Sequence, residues 1–251
     1  MDLAGSSVPI KVDSKRFLFT AAHVLDDQDL PHHVYGRTLK GRTPLVDLEG
    51  ERIETVPPRE GRDLDKVDAA ILLLSDDAAN AIAANHPFLG PEDLDVGGRS
   101  TSEDRYAFIG YPQSRFRRRP ENRTKFTGAM FQLPGAAEDK YQELGLDAST
   151  HVIANYNLKN LVDSEGRQIT PPNPRGVSGG GIWTLKTKES AAVGFHDPKL
   201  AGIAIEWKRQ ANAMVGVRVD VLVALMVAAF PDTRRFFPSG IQLPEISEPH
   251  R

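Results

Sequence analysis

The feature that most limits what this chain can fold into is its succession of short apolar strings, each bounded by turn-forming residues. Val8–Val12 and Arg16–Thr20 flank AspSerLys, a sequence suited to a tight turn, so the two strings read as a hairpin. Val67–Leu74, Tyr106–Tyr111, His151–Tyr156, Gly181–Leu185, Leu200–Trp207 and Ala213–Val219 continue the series. Helix signals are few. Asp76–Asn85 reads as a short helix, and 220–230 as a final one, with Asp220 as N-cap and Pro231 as its stop. Many strands, few helices and no internal repeat predict an all-β barrel or sandwich, not alternating βαβ units.

Composition sets the size and the partners. The chain has 251 residues, 40% of them hydrophobic, which is enough to fill one large all-β unit or two small domains. A net charge of -3 and a pI of 6.2 give no overall attraction to nucleic acid or to anionic membrane, so neither is an expected partner. The basic run at 115–119, RFRRR, reads as a solvated loop or hairpin tip, with binding of an acidic partner as the alternative. With no cysteine, a disulfide framework, a thiol nucleophile and thiolate metal ligands are all excluded. The first residues lack the apolar stretch of a signal peptide. The longest apolar run, 221–230, falls well short of the ~18 residues of a spanning helix, so a cytoplasmic location is expected. The proline-bearing tail from 231 onward is expected on the surface or partly disordered.

The least ordinary stretch is NPRGVSGGGIW, 173–183, where glycines surround Ser178. A serine hydroxyl is a weak nucleophile at neutral pH. Acyl transfer therefore needs a histidine to take its proton and a carboxylate to hold the imidazole in the right tautomer. TAAHV puts His23 just past an apolar strand, and the entry to another apolar strand holds Asp68. The glycines around Ser178 permit positive φ and close backbone approach. A tight loop of that kind can aim two N–H groups at an oxyanion, here those of Gly176 and Ser178. The other histidines lack the spacing of a zinc motif, and the chemistry requires neither a metal nor an organic cofactor.

TAAHV around His23, VDAAILLL with Asp68 and GVSGGG around Ser178 occur in the order His, Asp, Ser, and in this the chain resembles the trypsin-like (chymotrypsin-fold) serine peptidases. The similarity runs from about residue 6 to about residue 230, with AFIGYP at 107–112 and LAGIAIEW at 200–207 in support, and is greatest to the bacterial, cysteine-free members. The resemblance implies two perpendicular six-stranded β-barrels with a C-terminal helix. Residues 1–98 would form the first barrel, carrying His23 and Asp68. Residues 99–231 would form the second, carrying Ser178 and the closing helix, and 232–251 would be a tail. The implied activity is endopeptidase action on protein or peptide substrates through an acyl-enzyme, with a pH profile rising through about 6.5 to 7 if the histidine is unperturbed.

Two departures bear on control and specificity. Val177 stands where zymogen-activated members carry an aspartate, so that switch is absent, and the loop must be ordered by packing, by a partner or by substrate. Pro172 stands six residues before the serine, where trypsin-like specificity needs an aspartate. The resemblance places Ile205, Glu206 and Trp207 beside the substrate and Gly216 in the pocket wall, where a glycine would leave the pocket open. Glu206 is then either a selector for a basic residue near the scissile bond or an exposed rim acid. The segment 112–150 is the expected regulatory or substrate-binding surface, with an activating protein as a possible partner.

Two rival readings stand beside this one. A G-x-S-x-G reading of Gly176, Ser178 and Gly180 would suit an α/β-hydrolase, but that order needs Asp and His after the serine, and turn-then-strand follows here, not a helix. The other rival is a protease-fold binding or regulatory module that no longer turns over.

Overall fold

The computed structural model describes residues 5–26, 32–35, 45–115, 117–119, 123–125, 127–157, 167–168, 171–185 and 197–246; His196, His250 and the last residues of the tail lie outside them. Strands β1 (Val8–Val12) and β2 (Lys15–Ala21) form the expected hairpin, turning at Asp13, whose φ of 56° suits a short polar side chain. β3 (His33–Tyr35) pairs with β4 (Leu45–Asp47). β5 (Gly50–Glu54) and β6 (Ala69–Leu74) complete a four-stranded antiparallel sheet in the order β1-β2-β6-β5. Four strands thus build this sheet among the described residues, where six were expected.

The second unit is built on a six-stranded sheet among the described residues. β7 (Arg105–Gly110) and the two-stranded hairpin of β8 (Arg117–Arg119) and β9 (Arg123–Lys125) are followed by β10 (Ala129–Pro134) and β11 (His151–Asn155). β12 (Gly181–Thr184), β13 (Lys199–Lys208) and β14 (Ala213–Arg218) complete it. The sheet order is β10-β7-β12-β13-β14-β11. A bridge from Gly135 to Ala154 and the Ala136 N–H bond to the Ile153 carbonyl join its two ends, so the sheet closes on itself. Of the basic run at 115–119, Arg117–Arg119 form one strand of the β8–β9 hairpin, and Arg115 ends a 3-10 turn before it.

Among the described residues, three α-helices accompany the sheets. α1 (Asp76–Ala83) starts at Ser75, whose hydroxyl accepts from the Ala78 N–H. α2 (Glu138–Leu144) occupies the acidic stretch that the sequence suggested as a regulatory surface. Its Tyr141 is buried among Ala136, Ile153 and Ala213, and the phenol oxygen accepts from the Ile153 N–H, so one face of this stretch belongs to the core. α3 (Val219–Ala229) is buried along nearly its whole length, as a helix that is apolar all round must be. It joins Leu222, Leu225 and Met226 to Phe17, Phe19 and Ile71 of the first sheet and to Ile203 and Val217 of the second, in one continuous core. Each fully buried side chain of this size contributes roughly 1.5–3 kcal/mol.

One sequence expectation is corrected at this helix. Asp220 is not its N-cap; Arg218 is, and Asp220 sits in the first turn with its carboxylate buried. A tertiary contact claims it: Asp220 Oδ2 accepts from Arg218 Nε at 3.1 Å, and Oδ1 accepts from the Gly97 N–H at 2.6 Å. Arg218, 1% exposed, also donates to the Ser100 hydroxyl and the Asp95 carbonyl. The connection 90–100 is thus pinned to α3 and to Leu200. The tail lies largely on the surface, one of its two expected states, and is tied down there. Pro231–Phe236 forms a 3-10 turn, Phe237 is buried, and Arg234 donates to the carbonyls of Phe237, Pro238, Ser239 and Ile241.

A buried charge that loses its partner is costly. Arg218→Met is expected to lower unfolding free energy by about 3–5 kcal/mol. Adding Asp220→Asn should restore part of the loss, read as urea midpoints of the two single variants and the double.

Candidate functional site

β2 ends at Ala21 and runs into a 3-10 turn, Ala22–Leu25, that carries His23. Ala22 is fully buried against Leu25 and Ala70, and this small contact brings the turn down onto the start of β6. There Asp68 takes φ 43°, a left-handed conformation that Asp tolerates better than most residues. The conformation gives Asp68 three holds on the turn. Its carbonyl accepts from the Ala22 N–H at 3.0 Å, its Oδ1 from the His23 N–H at 2.9 Å, and its Oδ2 bonds His23 Nδ1 at 2.5 Å. Asp68 is 7% exposed, whereas the His23 side chain is 39% exposed. A proton held on Nδ1 by the carboxylate leaves Nε2 as the acceptor. The hydrogen bond to Asp68 raises the His23 pKa above 6.5, with help from the charges of Asp68 and Asp26; burial and Arg62 oppose it.

An ion network behind the turn escaped the sequence reading. Arg52 on β5 donates to the Leu25 carbonyl at 2.6 Å and the Ala22 carbonyl at 3.3 Å, and pairs with Asp26 and Glu54. Arg62 pairs with Asp26, Glu54 and Asp65. The exposed carbonyl ends of the histidine turn are thereby satisfied by a guanidinium from another strand. No motif could have signalled it, since Arg52 reads only as a polar residue of a short strand.

The segment 171–180 carries Ser178 into β12, and the carbonyls of four successive residues in it are each tied. Arg175 O accepts from the Gln113 N–H at 2.8 Å and Gly176 O from the Ser6 hydroxyl at 3.2 Å. Val177 O accepts from the Gly180 N–H at 2.8 Å and Ser178 O from the Ser6 N–H at 2.7 Å. Because C=O and N–H point oppositely across a trans peptide, tying each carbonyl also aims the next N–H. Two of those N–H groups are used internally: Val177 N–H on Pro174 O and Gly179 N–H on Ala204 O. Those of Gly176 and Ser178 have no acceptor among the described residues. The path requires φ 92° at Gly176 and 82° at Gly179. Val177 is 1% exposed in the core of the second unit.

The Ser178 hydroxyl donates to the Ile205 carbonyl at 3.2 Å, not to the His23 ring. That carbonyl lies at a register shift of β13, where Ala204 and Glu206 pair with neighbouring residues of β14 and Ile205 is left over. The shift turns the Ile205 side chain into the shared core, so only its backbone faces Ser178. Glu206 is exposed and pairs with Lys208 at 2.5 Å. Pro172 is half-buried in the extended segment leading to the serine. Gly216 pairs with Ala204, but a Cβ there would lie 2.0 Å from Ile182 Cδ1 and 2.4 Å from the Ile203 carbonyl oxygen. Ile182 fills that space, so the glycine does not leave the pocket open as its place in the sequence suggested. Trp207 stacks edge-on against Tyr156, centroids 6.0 Å apart, and neither Trp207 Nε1 nor the Tyr156 hydroxyl has a partner among the described residues.

Burial alone pushes the Tyr156 phenol up to about 12. A buried hydroxyl without a partner is a net cost, so Tyr156→Phe is expected to raise stability by about 1 kcal/mol in thermal unfolding. A loss of similar size would show that the hydroxyl has a partner in solution.

No protein-family model matches the chain, and no curated protein matches it. Among solved structures it is similar to neuropsin, a serine protease expressed in the limbic system of mouse brain, at a TM-score of 0.53 and 14% identity, over 91% of this chain and 87% of that one. At that identity the likeness establishes the fold alone: this chain has the chymotrypsin-like two-barrel fold with a C-terminal helix.

Proposed function

We propose that the protein is a serine endopeptidase, of the bacterial cysteine-free kind and acting in the cytoplasm, that cleaves protein or peptide substrates through an acyl-enzyme. Three separate preparations support this reading. His23 is fixed by Asp68 through Nδ1, which leaves Nε2 as the acceptor, Ser178 stands in a glycine loop, and the N–H groups of Gly176 and Ser178 have no acceptor among the described residues.

In the proposed reaction the Ser178 hydroxyl swings from the Ile205 carbonyl to His23 Nε2, which takes its proton as Oγ attacks the substrate carbonyl carbon. Hydrogen bonds of this kind often form only once substrate is bound. Asp68 stabilises the imidazolium, and the two N–H groups receive the oxyanion. His23 then gives its proton to the departing amine. Water repeats the steps on the acyl ester and releases the acid. No metal or organic cofactor takes part. Ile205 contributes its backbone, while Pro172, Glu206 and Trp207 border the substrate; the Lys208 partner of Glu206 favours its role as a rim acid.

The Ser178–Ile205 bond is also what a silent protease-fold binding module would show, so activity decides between the two. Ser178→Ala should abolish peptide hydrolysis without changing the fold, read as new N-termini in a proteome digest compared with wild type. Equal cleavage by the variant would refute the assignment. For wild type, kcat/KM should rise with pH through a midpoint above 6.5, because the neutral imidazole is the active form and Asp68 raises its pKa. Asp68→Asn should move that midpoint down and reduce kcat by about 10⁴-fold, as the imidazole loses its tautomer control. The same shift makes the His23–Asp68 pair stabilise the fold below pH 6.5, a contribution lost as pH rises through the folded value.

A further inference from the structure

Val177 leaves the nucleophile loop without the ion pair that orders it in zymogen-activated relatives, yet every carbonyl from Arg175 to Ser178 is held. Two of the four are held by a single residue far away in the chain. Ser6, 6% exposed and just before β1, uses all of its hydrogen-bonding groups on other segments. Its N–H donates to the Ser178 carbonyl at 2.7 Å and its hydroxyl to the Gly176 carbonyl at 3.2 Å. That hydroxyl also accepts from the Tyr111 N–H at 2.9 Å, and the Ser6 carbonyl accepts from the Thr20 hydroxyl at 2.8 Å. Ser6 therefore joins β2, the end of β7 and the serine loop at one point. The fit is tight enough that a Cβ at Gly179 would lie 1.9 Å from the Ser6 carbonyl oxygen and 2.3 Å from Thr20 Oγ1.

We propose that Ser6 is a positioning residue for the nucleophile loop, a clasp from the segment before β1 that keeps the Gly176 and Ser178 N–H groups aimed outward. The direction of control follows from peptide geometry. Releasing the Gly176 carbonyl frees the Gly176–Val177 peptide to rotate, and with it the backbone on both sides, including the Gly176 N–H. The glycines that give the loop its shape make it soft, so an external tie is needed. Ser6 touches neither substrate nor His23, and acts only through the loop. As a statement about catalysis the proposal rests on Ser178 being the nucleophile; as a statement about loop order it does not.

The test therefore has two readouts, applied to Ser6→Ala and to Thr20→Ala, which loosens Ser6 from the far side and places no new atom against Gly179. Amide hydrogen exchange of peptides covering 174–180, measured well below the unfolding midpoint, should accelerate in both variants while β6 and β14 stay protected. Hydrolysis should fall by roughly 10- to 100-fold in kcat, less than the ~10²–10³-fold cost of deleting an oxyanion donor outright. KM and the acid midpoint of the pH profile should not move, because His23 and Asp68 are untouched. Exchange and kcat at wild-type levels in a folded variant would overturn the clasp. A shifted pH midpoint would also overturn it, showing that Ser6 acts through the histidine. If wild type proves inactive, the peptidase reading fails and the exchange data alone decide the clasp.

Discussion

The site depends on the hold that Asp68 has on the Ala22–Leu25 turn. One residue, in a left-handed conformation that few side chains accept, supplies a carbonyl and both carboxylate oxygens to two successive backbone N–H groups and one imidazole nitrogen. That arrangement fixes where the ring sits, which nitrogen keeps its proton and how readily it charges. The rest of the first sheet supports it. β2 and β6 pair directly, so the strands delivering histidine and aspartate share one ladder, and Arg52 on the next strand secures the turn from behind.

The serine side is built differently. There the side chain is the smaller part of the design and the backbone is the larger. Four tied carbonyls orient the loop, and the ties come from three places: Gln113, Ser6 and the loop itself. The two halves of the site are kept in register by the core that both sheets share through α3, and by the buried Arg218–Asp220 pair that anchors the connection between them. The proposed reaction needs such a brace, because small relative motion of the halves would separate His23 from Ser178.

Much of this was legible in the sequence where side chains carry the signal. The apolar strings of β2, β6, β13 and β14 announce themselves, and TAAHV, VDAAILLL and GVSGGG mark the turn, the strand entry and the loop. β5, GERIE, was missed because its alternation is mostly polar, and α2 because its acidic face hides one buried tyrosine. Asp220 reads as an N-cap until Arg218 is seen beside it. Ser6 and Arg52 could not be found at all from their neighbours in sequence, since each acts through backbone carbonyls on distant segments and backbone groups leave no pattern in the residue types.

The measurement that bears most directly on the central claim is covalent labelling by a fluorophosphonate, which reports whether Ser178 is an activated nucleophile whatever the natural substrate. Folded wild-type protein should take up one equivalent on Ser178, located by peptide mass spectrometry, and His23→Ala should suppress uptake by orders of magnitude. Folded wild-type protein that stays unlabelled, or labels equally well without His23, would contradict the account and leave a protease fold used for binding.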